Sequence, residues 1–236
     1  MTESNTTRPV ETIADHPGLR ADATRPATSG LVLASASPAR LATLRSAGLS
    51  PRVVVSGVDE SAVTETDPAT LAMRLSQLKA EAVAARLADD GTADGYVLGC
   101  DSVLELDGTI FGKPANAAEA RDRWRSMRGR TGVLHTGHCV CDLAAGRQLL
   151  RSADTVVHFA DLTDQEIDAY VATGEPLQVA GGFTLDGLGG AFVLGIEGDP
   201  HNVVGISLPL LRVMFAELGV PWTRFWQTGA PGEGTL

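Results

Sequence analysis

A chain of 236 residues with a net charge of −10 is long enough to bury a core as one large or two small domains. Its anionic balance works against nonspecific binding to nucleic acid or to anionic membranes, since both rely on a cationic surface, although a single nucleotide needs only a local positive pocket. No apolar run reaches the roughly 18 residues of a membrane span, and the N-terminal MTESNTTRPVETIADHPGLR lacks the apolar centre of a secretory signal, so a cytoplasmic protein is expected.

Residues 1–29 are rich in Thr, Ala, Asp, Arg and Pro without periodicity and predict a disordered extension. The fold starts near Leu31. There Leu31-Val32-Leu33 enters a small-residue turn, Ala34-Ser35-Ala36, and Ser37-Pro38 supplies a helix N-cap followed by proline in the first turn. A helix that begins where a strand ends points its unpaired N–H groups and positive dipole end into the turn. With Ser35, Ser37 and the Arg40 guanidinium close by, this makes an anion site suited to phosphate. The helix spans 38 to about 47, buries Leu41 and Leu44 and stops at Gly48, and a strand follows over 52–56. Asp67-Pro68 opens a long helix with Leu71, Leu75, Leu78 and Ala82 as its apolar stripe. Lys79 lies at the edge of that stripe, either with its stem over the core and its amine in water or as a cleft-facing phosphate ligand.

Residues 96–99 read as a buried strand, and 103–111 as a hairpin closed by a primed turn at Asp107-Gly108. Asn116 with Glu119 starts a helix to about residue 128, closed by Gly129, and its Arg121, Arg123, Arg125 and Arg128 read as solvated surface. Strands are expected over 133–141 and 149–159, then a helix capped by Thr163 and Glu166 that ends near Gly174. A glycine-rich loop over 180–190, a strand over 191–196, a helix over 208–218 and a loose tail over 229–236 complete the pattern. The hairpin and the neighbouring later strands require antiparallel pairs, so the fold class is α/β with a mixed sheet flanked by helices, in one domain over 30–228.

Three cysteines, Cys100, Cys139 and Cys141, give neither a disulfide framework nor a zinc site, and Cys100 reads as a buried thiol rather than a nucleophile. His135 and His138 lie three apart in a predicted strand and face opposite sides; with His201 they fit no zinc spacing and read as structural or rim residues.

Taken in order, the 31–40 motif LVLASASPAR, Val58-Asp59-Glu60, Val97-Leu98-Gly99-Cys100-Asp101-Ser102-Val103, Asp107-Gly108, Gly112-Lys113-Pro114 and Asn202-Val203-Val204-Gly205 resemble the Maf family of nucleoside triphosphate pyrophosphatases, over roughly 31–219. The resemblance implies a twisted mixed sheet with two lobes around a central cleft, a homodimer, and metal-dependent hydrolysis of a nucleoside triphosphate to the monophosphate and pyrophosphate. Such a site must hold a hard divalent cation (Mg2+, Mn2+ or Co2+), neutralise a polyphosphate and orient a water. Carried over from the family, Asp101 matches the catalytic aspartate that accepts a proton, and Glu60 matches an acidic residue that joins it on the metal. Arg40, Lys79 and Lys113 form the basic half, and Ser35 and Ser37 join Arg40 in binding substrate.

Many Maf proteins that prefer dTTP and UTP carry two consecutive arginines after Ser-Pro, a threonine after the catalytic aspartate and a glutamine in the glycine-rich loop. The matching positions here are Ala39, Ser102 and Asp186, which puts the pyrimidine assignment in doubt. An ionised aspartate only accepts hydrogen bonds, so Asp186 favours a base edge rich in donors, such as that of guanine, cytosine or 7-methylguanine. Two further classes stay open: a nucleotide-binding regulator of cell division or septum formation without significant catalysis, and a nucleotidyltransferase using similar metal and phosphate contacts.

Overall fold

The computed structural model describes residues 30–226, so the predicted N-terminal extension and the 229–236 tail lie outside the described residues. A seven-stranded mixed sheet runs in the order β2-β1-β3-β5-β6-β7, with β4 pairing to β3 off that path. The strands are β1 (Leu31–Leu33), β2 (Arg52–Val53), β3 (Tyr96–Leu106), β4 (Thr109–Phe111), β5 (Thr131–Asp142), β6 (Arg147–Phe159) and β7 (Val193–Glu197). The helices are α1 (Pro38–Ser46), α2 (Pro68–Asp89), α3 (Ala117–Met127), α4 (Asp164–Ala172), α5 (Pro200–Val204) and α6 (Leu208–Glu217). The mixed α/β class expected from the sequence is what forms. None of these helices is long and apolar enough to cross a membrane.

The local signals act as the residues dictate. Ser37, Asp67, Asn116 and Thr163 each accept a backbone N–H from the first turn of the helix they cap. Asp107 and Gly108 sit at φ 48° and 78°, the positive pair that a primed hairpin turn requires. The elements depart from expectation in places. The segments over 96–99 and 103–106 are one continuous strand, because β5 pairs with β3 along nearly its whole length. The short helix α5, opened by Asp199 and Pro200, was not anticipated.

Along one edge of β3, Tyr96–Leu98 pairs with β1 in parallel and Leu104–Leu106 pairs with β4 antiparallel. Between these two pairings residues 99–103 have no strand beside them on that edge, so the sheet is notched in the middle of its central strand. The face packed against α1 and α6 is apolar at the level of Tyr96, Leu98 and Cys100, and a second apolar cluster, built with α3 and α4, starts at Leu104 and Leu106. A buried polar belt of Ser102, Thr136 and Thr155 separates the two clusters, with Ser102 2.9 Å from the Thr136 hydroxyl. The division of the core on this face into two clusters thus follows from where polar residues interrupt the strands.

On the opposite face α2 crosses the sheet. Its buried stripe is Ala72, Leu75, Ser76, Lys79, Ala80, Val83 and Leu87 rather than the Leu71, Leu75, Leu78, Ala82 stripe expected from apolar spacing. The reason lies in the sheet: a Cβ at Gly99 would come within 2.2 Å of the Ser76 carbonyl oxygen, and one at Gly137 within 2.2 Å of the Ala72 carbonyl oxygen. Two glycines let the small-residue side of the helix lie directly on the strands, and this rotates Lys79 from the edge of the stripe into it.

Candidate active site

Asp101 and Ser102 are neighbours in the notch of β3, and alternation along a strand sends their side chains to opposite faces. On the α2 face the Asp101 carboxylate pairs with the Lys79 ammonium, and the same ammonium lies 2.8 Å from a Glu60 carboxylate oxygen. Asp101 and Lys79 are buried, whereas Glu60 is exposed in a 3-10 turn (Glu60–Ala62) whose N-cap, Asp59, accepts from the Ser61 amide. Two carboxylates from distant segments therefore converge on one cation.

On the α1 face Arg40 donates from Nε to the Gly205 carbonyl at 2.7 Å, from Nη1 to Ser35 Oγ at 3.2 Å and from Nη2 to Ser102 Oγ at 3.0 Å. The Ser37 amide donates to Ser35 Oγ, and the Ser37 hydroxyl accepts from the Arg40 amide. The strand-turn-helix of the N-terminal motif is thereby bolted to the notch with the N-terminus of α1 beside it, a favourable place for an anion. Gly205 has φ 111°, and a Cβ there would meet Arg40 Nε at 3.0 Å, so this residue answers both to its backbone angle and to the approach of the guanidinium. The fully buried Asn202 holds the α5 turn in place by donating to the Leu134 and Ala153 carbonyls and to Thr155 Oγ1.

Ala39 is part-exposed, and Lys113 and Asp186 are exposed; neither Lys113 nor Asp186 makes an ion pair or hydrogen bond within the described residues. Lys113 is nonetheless placed by its surroundings. The carbonyl of Gly112 accepts from both the Gly181 amide and Arg123 Nη1, while Pro114 is buried behind it. Arg123 is the clear departure from the solvated surface expected for the arginines of α3. It is buried, donates to Glu119 as well as to Gly112, and lies 4.9 Å over the Phe111 ring. Burial pulls its pKa below the ordinary guanidinium value. A signal for it existed: Ala120, Trp124 and Met127 are the buried positions of α3, and Arg123 falls within that stripe at helical spacing.

Burial pushes the Cys100 thiol up to about 12, an inert group as expected, and all three cysteines are free and buried. His135 and His138 face opposite sides. His135 Nδ1 is 2.8 Å from Asp154, whereas His138 accepts the Ser207 amide at Nε2 and lies 3.0 Å from the Thr136 carbonyl at Nδ1. Among the described residues no group of three or more His, Cys, Asp or Glu side chains is placed to hold a metal ion. An open depression of about 520 Å³ lined by residues 45–50 and Trp226 sits at the far end of α1 from Ser37 and plays no part in this arrangement.

The sequence model of a family described as Maf-like protein matches residues 30–218. A protein of Salinispora tropica named nucleoside triphosphate pyrophosphatase is 58% identical over 208 residues, covering 87% of this chain and 92% of the relative. Proteins of the same name from Streptomyces coelicolor and Rhodococcus opacus are 58% and 50% identical, covering 86% and 87% of this chain and 96% and 100% of their own lengths.

Proposed function

The chain belongs to the Maf family, and from that premise we propose that it hydrolyses nucleoside triphosphates to the monophosphate and pyrophosphate, clearing canonical or modified nucleotides from the pool. The observation that carries the reading is the notch in β3, where the Asp101–Lys79–Glu60 cluster on one face and the Arg40–Ser102–Ser35 cluster with the α1 N-terminus on the other meet within two consecutive residues. One cluster suits the chemistry at phosphorus, and the other suits an anion.

In this reading water attacks the α-phosphorus, a new P–O bond forms as the bond to the bridging oxygen breaks, and pyrophosphate leaves. Asp101 takes the proton from the attacking water. Lys79, held between two carboxylates, fixes the Asp101 rotamer and offers its charge to the phosphate, while Arg40 and Lys113 offset the remaining charge of the polyphosphate. Ser35 and Ser37 add hydroxyls at the helix N-terminus.

The donor set fits a hard divalent cation such as Mg2+, Mn2+ or Co2+. Glu60 and Asp101 converge from separate segments and supply only oxygen, and two protein carboxylates with the rest of the shell left to phosphate and water is the usual arrangement for Mg2+. When bound, the cation supplies Lewis-acid charge stabilisation at the phosphoryl oxygens. A single two-lobed domain over 30–228, association as a homodimer and a cytoplasmic location belong to the same proposal. The net charge of −10 argues against nucleic acid and membrane partners.

The test is release of pyrophosphate and monophosphate from a panel of triphosphates with Mg2+ or Mn2+, for the native chain and Asp101→Asn. Metal-dependent release that the substitution abolishes is expected. A substituted protein that works at the native rate would overturn the assignment of Asp101, and a native protein that binds nucleotide but releases nothing would overturn the enzyme.

A further inference from the structure

The glycine-rich loop is built around one carboxylate that the site described so far does not use. Glu175, in the 3-10 turn that follows α4, accepts from Tyr170 Oη at 2.8 Å, from Thr184 Oγ1 at 2.5 Å, from the Leu188 amide at 3.0 Å and from the Gly189 amide at 3.0 Å. The last three donors belong to the loop itself. The backbone is drawn so closely around this group that a Cβ at Gly187 would lie 2.6 Å from Glu175 Oε2, and one at Gly189 would lie 2.3 Å from Tyr170 Oη. Partial burial pushes the Glu175 carboxyl up, but the hydrogen bonds from Thr184, Leu188, Gly189 and Tyr170 outweigh it and hold it below the ordinary carboxylate range. Four donors on one acceptor-only group leave the loop a single arrangement.

That arrangement exposes Asp186 and Leu188, while Phe183 and Gly189 are buried. Leu188 is 59% exposed, unusual for a leucine on a loop so firmly held, and Asp186 has no hydrogen bond within the described residues. An apolar side chain and a free acceptor on one rigid turn match what a nucleobase offers, an apolar face and a polar edge. The loop is also tied through Gly181 to Gly112, beside Lys113, so its position is coupled to that of the lysine assigned to the polyphosphate.

We infer that Glu175 is a positioning residue for nucleobase selection: it fixes residues 184–190 so that Asp186 accepts from a donor-rich base edge and Leu188 covers the base. The inference rests on the pyrophosphatase reading above. A glutamine at 175 cannot replace it, because an amide has one acceptor oxygen and its NH2 would face the Leu188 N–H donor to donor.

The experiment compares kcat and KM for GTP, CTP, UTP and dTTP in the native protein, Glu175→Gln, Thr184→Val and Asp186→Asn, with thermal denaturation of each. Glu175→Gln is expected to shrink the ratio of kcat/KM between the best and worst base by about tenfold or more, through KM and with kcat for the best substrate within about threefold of native. Thr184→Val, which removes one of the four donors, moves the ratio the same way by less and keeps the test alive if Glu175→Gln does not fold. A uniform loss on all four substrates, or a fall in Tm with the ratio intact, overturns the inference and leaves Glu175 as structural support. Asp186→Asn separates the two levels. If it leaves the ratio at the native value while Glu175→Gln collapses it, the role given to Asp186 is overturned and only the positioning by Glu175 is upheld. Absence of pyrophosphate release from the native protein on every substrate overturns the pyrophosphatase reading and the inference with it.

Discussion

The amide of Gly181 donates to the carbonyl of Gly112 at 3.0 Å. This one bond fastens the glycine-rich loop to the residue before Lys113, although the two glycines lie far apart in the sequence. Arg123 donates to the same carbonyl at 2.5 Å, so the loop, the lysine turn and α3 share one anchor point.

Arg123→Lys keeps the charge but loses the planar fork that serves Gly112 and Glu119 together. The expected cost is about 1.5–3 kcal/mol of stability, the range for a hydrogen bond to a charged group. A several-fold rise in KM for the triphosphate should accompany it, with kcat less affected, because the position of Lys113 loosens. Urea titration and steady-state kinetics check both; an unchanged KM would show that Lys113 is placed without Arg123.

Lys79→Met removes the one cation that Asp101 and Glu60 share. Asp101 is left as a buried, unpaired carboxylate, which costs about 3–5 kcal/mol in comparable cases. Adding Asp101→Asn should restore most of that stability and none of the activity. A double-mutant cycle by denaturant unfolding measures the coupling. Additive losses would mean that the pair contributes nothing to folding.

Capping residues, the Asp107-Gly108 turn and the alternating strands are local signals, and they placed nearly every element within a few residues of where it forms. The grouping of Asp101 with Glu60 was legible through motifs that resemble the Maf family, whereas Lys79 lies in no such motif and its spacing left it at the edge of the α2 stripe, open to water or to the cleft. The rotation of α2 was not, since apolar spacing within a helix cannot reveal that Gly99 and Gly137, in two strands far along the chain, will accept Ala72 and Ser76 in place of Leu71 and Leu78. Arg123 and Glu175 escaped for a related reason. A charged residue reads as surface until the backbone groups that satisfy it are known, and those come from residues 112, 188 and 189.

Gly99→Ala and Gly137→Ala follow from that packing. Each new methyl would meet a helix carbonyl oxygen at 2.2 Å, so α2 must move away from the sheet. Overpacking of this kind costs about 1–3 kcal/mol. The more telling effect is functional: Lys79 travels with the helix, so kcat should fall by about tenfold or more even where the protein remains folded. Circular dichroism melts and the pyrophosphate assay separate the two effects. Native kcat in a folded Gly99→Ala protein would show that the placement of Lys79 tolerates the shift.

His138 sets one component of the acid sensitivity. Burial first, and then the charge of Arg40, push its imidazole down to about 3, against the hydrogen bond with the Thr136 carbonyl, which pulls the other way. An unfolded chain binds that proton near pH 6.5 and the folded one does not, so between these values the unfolded state holds more protons. The stability this neutral histidine contributes is therefore complete above about pH 6.5 and is lost as pH falls towards 3, at up to about 1.4 kcal/mol per pH unit. His138→Gln keeps an acceptor for the Ser207 amide and cannot titrate. Its stability at neutral pH should be lower than native, but the decline from about pH 6 to pH 4 should be shallower by close to one proton. Urea midpoints across that range, native against variant, give the comparison, because the carboxylates that also titrate there are common to both. Parallel declines would show that His138 takes up its proton without unfolding, through an opening of the α5–α6 turn that Ser207 closes.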